Sequence, residues 1–423
     1  MDVLELADRL WRGEATTAEH HPVIFGGELC EVADGVAFLA NFGNCSVVAT
    51  ADGLVMVDTG SSFTARKVHD EVRRWRADRL HTAIFSHGHI DHVFGVALFD
   101  DEATQKGWPR PRVVAHEHLA RRFDRYVLTA GYNQVINRRQ FGADALVWPT
   151  QYRYPDETYA SESVLHVGGV EARLRHEKGE TDDATVTWFP AARVLCSGDL
   201  FVWSSPNAGN PQKVQRYPRE WAEALRRMAA LDAAVLLPGH GLPIVGAERV
   251  SQSLVETAQY LESLVDQTLA MMNNGARLDD VIHSVAPPAH LTGRAFLQPV
   301  YDEPEFIVRN IWRLYGGWWD GNPANLKPAR DADLAREVAE LAGSAGRLAE
   351  RAESLSLEGT DEALRLAGHL AELAWLADPR DAAVAAVRQR VFTRRAEHAT
   401  STMSRGVFSW AARESAPHEP GES

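Results

Sequence analysis

Short apolar runs broken by turn residues dominate the first part of the chain. Residues 36–42 (VAFLANF), 45–50 (CSVVAT) and 53–60 (GLVMVDTG) are β-rich and punctuated by Gly and Asp, which predicts strands joined by turns. The period then changes. Val68, Val72 and Trp75 fall near helical spacing and predict an amphipathic helix over 64–79. The run Thr82 to Phe85 is a short buried strand that opens into Ser86–His92. A mixed, loop-rich segment is expected from about 100 to 160. Strand-like runs return at VEARL (170–174), ATVTWFP (184–190) and RVLCSG (193–198). A helix with Pro at its start is predicted over 218–231, and Ala234 to Gly241 reads as another strand ending in a loop. Strands and helices alternate, and the polar residues recur where strands end, so a layered α/β domain with its site at the strand ends is expected.

From about residue 249 the pattern becomes helical. A long helix runs towards Asn273-Asn274-Gly275, a C-cap sequence. Residues 331–412 are rich in Ala, Leu, Glu and Arg with breaks at SLEGTD and ADPRD, the pattern of paired antiparallel helices without the strict period of a repeat array. Two domains follow, an α/β domain over 1–248 and an all-α domain over 249–423. The polar tail SAPHEPGES (415–423) is expected to be disordered.

Composition narrows the classes. The 423 residues are 45% hydrophobic and 24% charged, an ordinary globular balance. No apolar run approaches the ~20 residues a membrane span needs, and the start MDVLELADRLWRGE lacks a signal-peptide core. Three cysteines, Cys30, Cys45 and Cys196, are few and not in metal spacing, so a cytoplasmic location is expected. The net charge of −14 argues against nucleic acid as a partner. An anionic small molecule would need local Arg, Lys or metal charge to offset that field.

The candidate chemistry lies in SHGHIDH (86–92), which places His87, His89, Asp91 and His92 within six residues. A solvated turn accounts for one such histidine; four ligand-type residues around Gly88 point to a metal. His87 and His89 can reach one ion, and Asp91 and His92 a second.

This H-x-H-x-D-H motif after a strand resembles the metallo-β-lactamase superfamily. VDTG with Asp58, EKGET with Glu180, CSGD with Asp199 and PGHG with His240 match its further motifs in order and spacing. The resemblance implies an αβ/βα sandwich with a dinuclear centre. His87, His89 and Glu180 would hold one ion, Asp91, His92 and His240 the other, and Asp199 would bridge them. Asp91 and Asp199 would also act in catalysis, and Asp58 would orient the ligands. The implied cofactor is a pair of zinc ions, although iron or manganese also suits a carboxylate-rich site. Most hydrolases of the superfamily carry His at the third position. Here Glu180 occupies it, with His176 four residues earlier, and either is open as the ligand. Glu there resembles the alkyl sulfatase branch, whereas Asp199 departs from the Glu common at its bridging position.

The second half resembles the same branch. RNIWRLYGGWWDGNP (309–323) is similar to a signature of the alkyl sulfatase dimerisation domain, and HLAELAWLADP and SRGVFSWAARE to its closing helices. Relatives continue into a lipid-carrier-like domain, before which this sequence stops. The resemblance implies a homodimer that cleaves alkyl sulfate esters to alcohol and inorganic sulfate. Asn137, Arg139 and Asn207 are candidates to hold the sulfate, with Lys213 beside them, and Trp148, Phe201 and Trp203 to line an alkyl channel. The alternatives are a hydrolase of a thioester, lactone or phosphodiester on the same site, and a non-catalytic dimeric scaffold, which would be expected to have lost ligands.

Overall fold

The computed structural model describes residues 2–21, 23 and 26–416. The predicted polar tail lies outside the described residues from Pro417 onward. Ser415, at its expected start, is buried and caps the last helix.

The elements in chain order are α1 (Val3–Trp11), β1 (Leu29–Ala33), β2 (Val36–Leu39), β3 (Cys45–Thr50), β4 (Gly53–Val57), α2 (Ala65–Trp75), β5 (Leu80–Ile84), α3 (Val96–Lys106), β6 (Arg112–His116), α4 (His118–Leu128), α5 (Ala130–Phe141), β7 (Glu157–Tyr159), β8 (Glu162–Val167), β9 (Val170–Glu177), β10 (Ala184–Phe189), β11 (Val194–Val202), α6 (Pro218–Ala229), β12 (Val235–His240), β13 (Ile244–Val245), α7 (Ala247–Asn273), α8 (Leu278–Ser284), α9 (Pro304–Gly316), α10 (Pro323–Leu326), α11 (Asp331–Ala342), α12 (Ala345–Glu358), α13 (Asp361–Ala377), α14 (Ala382–His398) and α15 (Thr402–Glu414).

Strands β1 to β7 form one sheet in sequence order, and β8 to β13 form a second. Alternation along β3 and β4 explains how the first sheet is covered on both faces. Val48, Val55 and Val57 join the core between the sheets, with Leu174, Val186 and Leu195 from the second sheet. Their neighbours Val47, Leu54 and Met56 face Val68 and Val72 of α2, Val96 and Phe99 of α3, and Leu119 and Phe123 of α4. Trp221 and Leu225 of α6 and Leu254 and Leu261 of α7 extend the inter-sheet core on the other side. The result is the expected αβ/βα sandwich.

About half of the segment expected to be loop-rich is helical, since α3, α4 and α5 fall within or beside it. In α4, Leu119, Phe123 and Tyr126 are buried at helical spacing, with Arg122 buried beside them and the remaining positions exposed or half-buried. That stripe outweighs the arginines that dilute the local hydrophobicity.

Two compact units emerge. The first comprises residues 1–130 and 148–318, and the second residues 131–147 and 319–423. Helix α7 belongs to the first because Leu254, Ala258, Leu261 and Leu264 enter the sandwich core. Small residues, Ala352, Ala363, Ala367 and Ala371, let the helices of the second unit approach closely around Leu355 and Val391. Buried Arg388 ties three of them together. It donates to Glu372 at 2.7 Å, Glu414 at 3.0 Å and the Ala411 carbonyl at 2.9 Å. Among the described residues, no helix is long and apolar enough to cross a membrane.

Candidate metal centre

The parallel strands deliver the site. β4, β5 and β6 run parallel, as do β11 and β12. Asp58 follows β4, Ser86 to His92 follow β5, and Asp199 and His240 sit on β11 and at the end of β12. Glu180 comes from the turn between β9 and β10. Two glycines permit the close approach. Gly198 has φ 54°, and a Cβ there would come 2.7 Å from the Ser86 side chain. A Cβ on Gly239 would fall on the Asp199 carboxylate.

Two groups of three residues that could hold an ion form, one containing Asp199 and one beside it. His87, His89 and Asp199 make one, and Asp91, His92 and His240 the other. Asp199 Oδ2 lies 3.4 Å from His87 Nε2 and 3.5 Å from His240 Nε2, and its Oδ1 lies 3.4 Å from His92 Nε2. Asp91 Oδ2 is 3.2 Å from His240 Nε2 and 3.5 Å from His92 Nε2. Glu180 Oε1 approaches His89 Nδ1 at 3.8 Å. His176 is elsewhere, its ring stacked on His116 at 3.6 Å.

Asp58 sets the tautomers. It adopts φ 60°, a left-handed conformation that Asp tolerates better than most residues. Its Oδ1 accepts from the Ser86 amide at 2.7 Å and its Oδ2 from the Ser86 hydroxyl at 2.6 Å. His92 Nδ1 donates to Oδ2 at 2.7 Å. With the Ser86 proton directed at Asp58, the Ser86 oxygen must accept from His87 Nδ1, 2.9 Å away. Both histidines therefore carry a proton on Nδ1 and direct Nε2 into the site, the nitrogen that is left to ligate a metal.

Electrostatics call for positive charge between these groups. His92 Nε2 and Asp199 Oδ1 are buried without a hydrogen-bond partner. Burial disfavours charge on His92, but Asp199, Asp91 and Asp58 outweigh it and hold its pKa up to about 9. Burial opposes ionisation of Asp91, yet His92 and His240 bring it down to about 2. His89 is pushed well below the usual range by burial and by the neighbouring His87. Three carboxylates with four imidazoles suit divalent ions of borderline softness. The residues present therefore fit a metal pair.

The surrounding shell was less visible in the sequence. Glu180 is ion-paired with buried Arg216 at 2.5 Å and accepts from Asn207 Nδ2 at 2.6 Å. Lys213 lies by Trp148, 5.9 Å from the ring centroid. Burial and Arg216 bring its pKa down to about 7, against the pull of Glu180 and Asp91. Arg122 pairs with Asp182 and with Asp183, at 2.8 Å to the latter, and Asp183 accepts from the Gly88 amide at 3.0 Å. No motif marks Arg216, Arg122 or Asp183; each acquires its role through a long-range partner.

Asn137 and Arg139 belong to the second unit. There the Asn137 amide donates to the Asn133 carbonyl at 2.7 Å, and the Arg139 guanidinium lies over Trp410 at 4.1 Å. Of the aromatics expected along a channel, Phe201 is part of the core. Trp203 donates its indole N–H to the Leu242 carbonyl and walls a cavity of about 280 Å³ with Leu4, Trp11, Pro243 and Arg249. Trp148 is buried edge-on to Tyr126 at 5.3 Å.

Comparison with known proteins agrees with this geometry. Residues 39–240 match the metallo-beta-lactamase superfamily, and residues 277–417 match the alkyl sulfatase dimerisation family. Over these two regions the chain is similar to alkyl sulfatases of the metallo-β-lactamase superfamily. A linear primary-alkylsulfatase from Pseudomonas sp. (strain ATCC 19151) is 28% identical over 339 residues, 74% of this chain and 63% of the relative. The alkyl/aryl-sulfatase BDS1 of Saccharomyces cerevisiae (strain ATCC 204508 / S288c) is 23% identical over 373 residues, 81% of this chain and 56% of the relative. This alkyl sulfatase-like chain therefore spans less than two thirds of the length of these relatives. The solved structure of the stereoselective inverting sec-alkylsulfatase Pisa1 from Pseudomonas sp. shares its fold. The TM-score is 0.82 at 21% identity, over 92% of this chain and 66% of that one.

Proposed function

We propose that this chain hydrolyses alkyl sulfate esters to an alcohol and inorganic sulfate at a dinuclear zinc centre. The observation that carries the reading is the pair of residue groups, with Asp199 in one and within 3.5 Å of His92 and His240 of the other, with Arg216 on Glu180 and Lys213 nearby. His87, His89 and Glu180 would hold one ion, Asp91, His92 and His240 the other, and Asp199 both. When bound, such ions supply Lewis-acid charge and lower the pKa of water towards about 7.

The chain's own residues do the rest. Asp58 and Ser86 keep the His87 and His92 lone pairs directed inward. Asp91 stays ionised at neutral pH and can accept a hydrogen bond from the attacking water, which orients it. Lys213 and Arg216 supply the local positive charge that an anionic ester needs against an overall charge of −14. With a pKa of about 7, Lys213 is only partly charged in the free protein at neutral pH. A bound sulfate favours its charged form. Asn207, held on Glu180, is the amide best placed to join them.

A substrate panel tests the reading. Medium-chain alkyl sulfates should turn over well above acyl thioesters, lactones and phosphodiesters. Preference for one of the latter by the metal-loaded protein would assign the same centre to another ester.

A further inference from the structure

Three histidines outside this centre gather where the two sheets meet. His116 ends β6, His118 opens α4, and His176 lies near the end of β9. One ring nitrogen from each lies within 4.8 Å of the others, with His116 buried and the other two half-buried.

Their hydrogen bonds are the second observation. His116 Nε2 faces the Ala160 carbonyl at 2.9 Å, His118 Nδ1 the Asp182 carbonyl at 3.1 Å, and His176 Nε2 the same carbonyl at 3.0 Å. A carbonyl only accepts, so each of these nitrogens carries the ring proton. The opposite nitrogen of each ring, His116 Nδ1, His118 Nε2 and His176 Nδ1, is left with its lone pair. Only His116 Nδ1 has a further contact among these bonds, the His118 amide at a long 3.3 Å. An imidazole whose N–H is fixed by a backbone carbonyl is the usual state of a metal-ligating histidine.

We propose that His116, His118 and His176 form an accessory metal site, separate from the dinuclear centre, for a borderline divalent ion such as Zn²⁺. The donor set is all nitrogen. Of the carboxylates around it, Asp182 and Asp183 are engaged by Arg122 and Glu177 by Arg227. Neutral imidazoles select zinc, nickel or copper over magnesium, calcium or manganese, and three histidines leave zinc a fourth position open to solvent. The His116 and His176 rings are parallel within 3°. Imidazole lone pairs lie in the ring plane, so two stacked rings cannot aim at one ion. Half-buried His176 must therefore turn out of the stack and release the Asp182 carbonyl as the ion enters, while His116 and His118 keep their carbonyl bonds.

Protein with its main centre filled is cleared of loose ion by gel filtration and titrated with Zn²⁺ against a chromophoric chelator. The wild type should take up one equivalent more than either His118→Gln or His176→Gln. In ¹⁵N-labelled wild type, which no folding defect affects, Zn²⁺ should shift the imidazole resonances of these three residues together. No extra equivalent in the wild type, equal uptake in the variants, or unmoved resonances would overturn the proposal.

Discussion

The Asp58 carboxylate accepts from three donors, two on Ser86 and one on His92, and through Ser86 it also determines the proton position on His87. Asp58→Asn keeps the backbone preference for positive φ but replaces one acceptor oxygen with a donor. Metal affinity should fall roughly 10- to 100-fold, measured by competition with a chelator, with the circular dichroism spectrum unchanged. Glu180 leads to a second prediction at this scale. Glu180→Ala should lower bound metal and activity together and leave Arg216 buried without its carboxylate; full metal content and full activity would reject its place as third ligand. Most of the two residue groups was legible because their members follow strands in short motifs with Gly between them. Arg216 was not, because a lone arginine in the loop before α6 shows no pattern until the fold brings it to Glu180.

At the scale of elements, the loop after β5 is clamped from outside. Gly88 donates to Asp183, which is fully buried and paired with Arg122 on α4. Asp183→Ala strands much of a buried guanidinium and frees the metal loop. It should cost about 3 kcal/mol of unfolding free energy, read by chemical denaturation. The loop between β11 and α6 is held differently. Buried Asp302 accepts from the Gly209 amide at 2.6 Å and the Glu303 amide at 2.8 Å. Burial outweighs these bonds and pushes its pKa up to about 7 from 3.8. A raised acid favours the folded state at low pH, and that advantage is lost as pH rises from 3.8 through 7. Between pH 6 and 8 the wild type should therefore lose about 1 kcal/mol relative to Asp302→Asn, measured by denaturant titration at each pH. Strands such as 45–50 were readable almost to the residue because a short β-rich run is bounded by Gly and Asp turns. α3 and α4 were not, because the acids of α3 and the arginines of α4 mask an apolar stripe that only the packed sheet reveals.

At the scale of the molecule, the second unit leaves apolar helix surface uncovered. Leu334 and Leu341 are seven residues apart on α11, hence on one face, and Leu341 is 89% exposed. Given the match of 277–417 to a dimerisation family, a second copy is the proposed occupant. Sedimentation should give about twice the 46.8 kDa chain mass, and Leu334→Glu with Leu341→Glu should shift it towards one chain. The break in character near residue 249 was visible in the sequence. The ties that bring α7 into the sandwich core were not, since an amphipathic helix does not reveal which core it faces. The most direct test of the central claim is a single assay on one sample. Bound metal is counted, and inorganic sulfate released from dodecyl sulfate is measured beside Asp199→Ala. The account predicts about two ions per chain with steady sulfate release, both reduced in the variant. A wild type holding its full metal complement yet releasing no sulfate would contradict it.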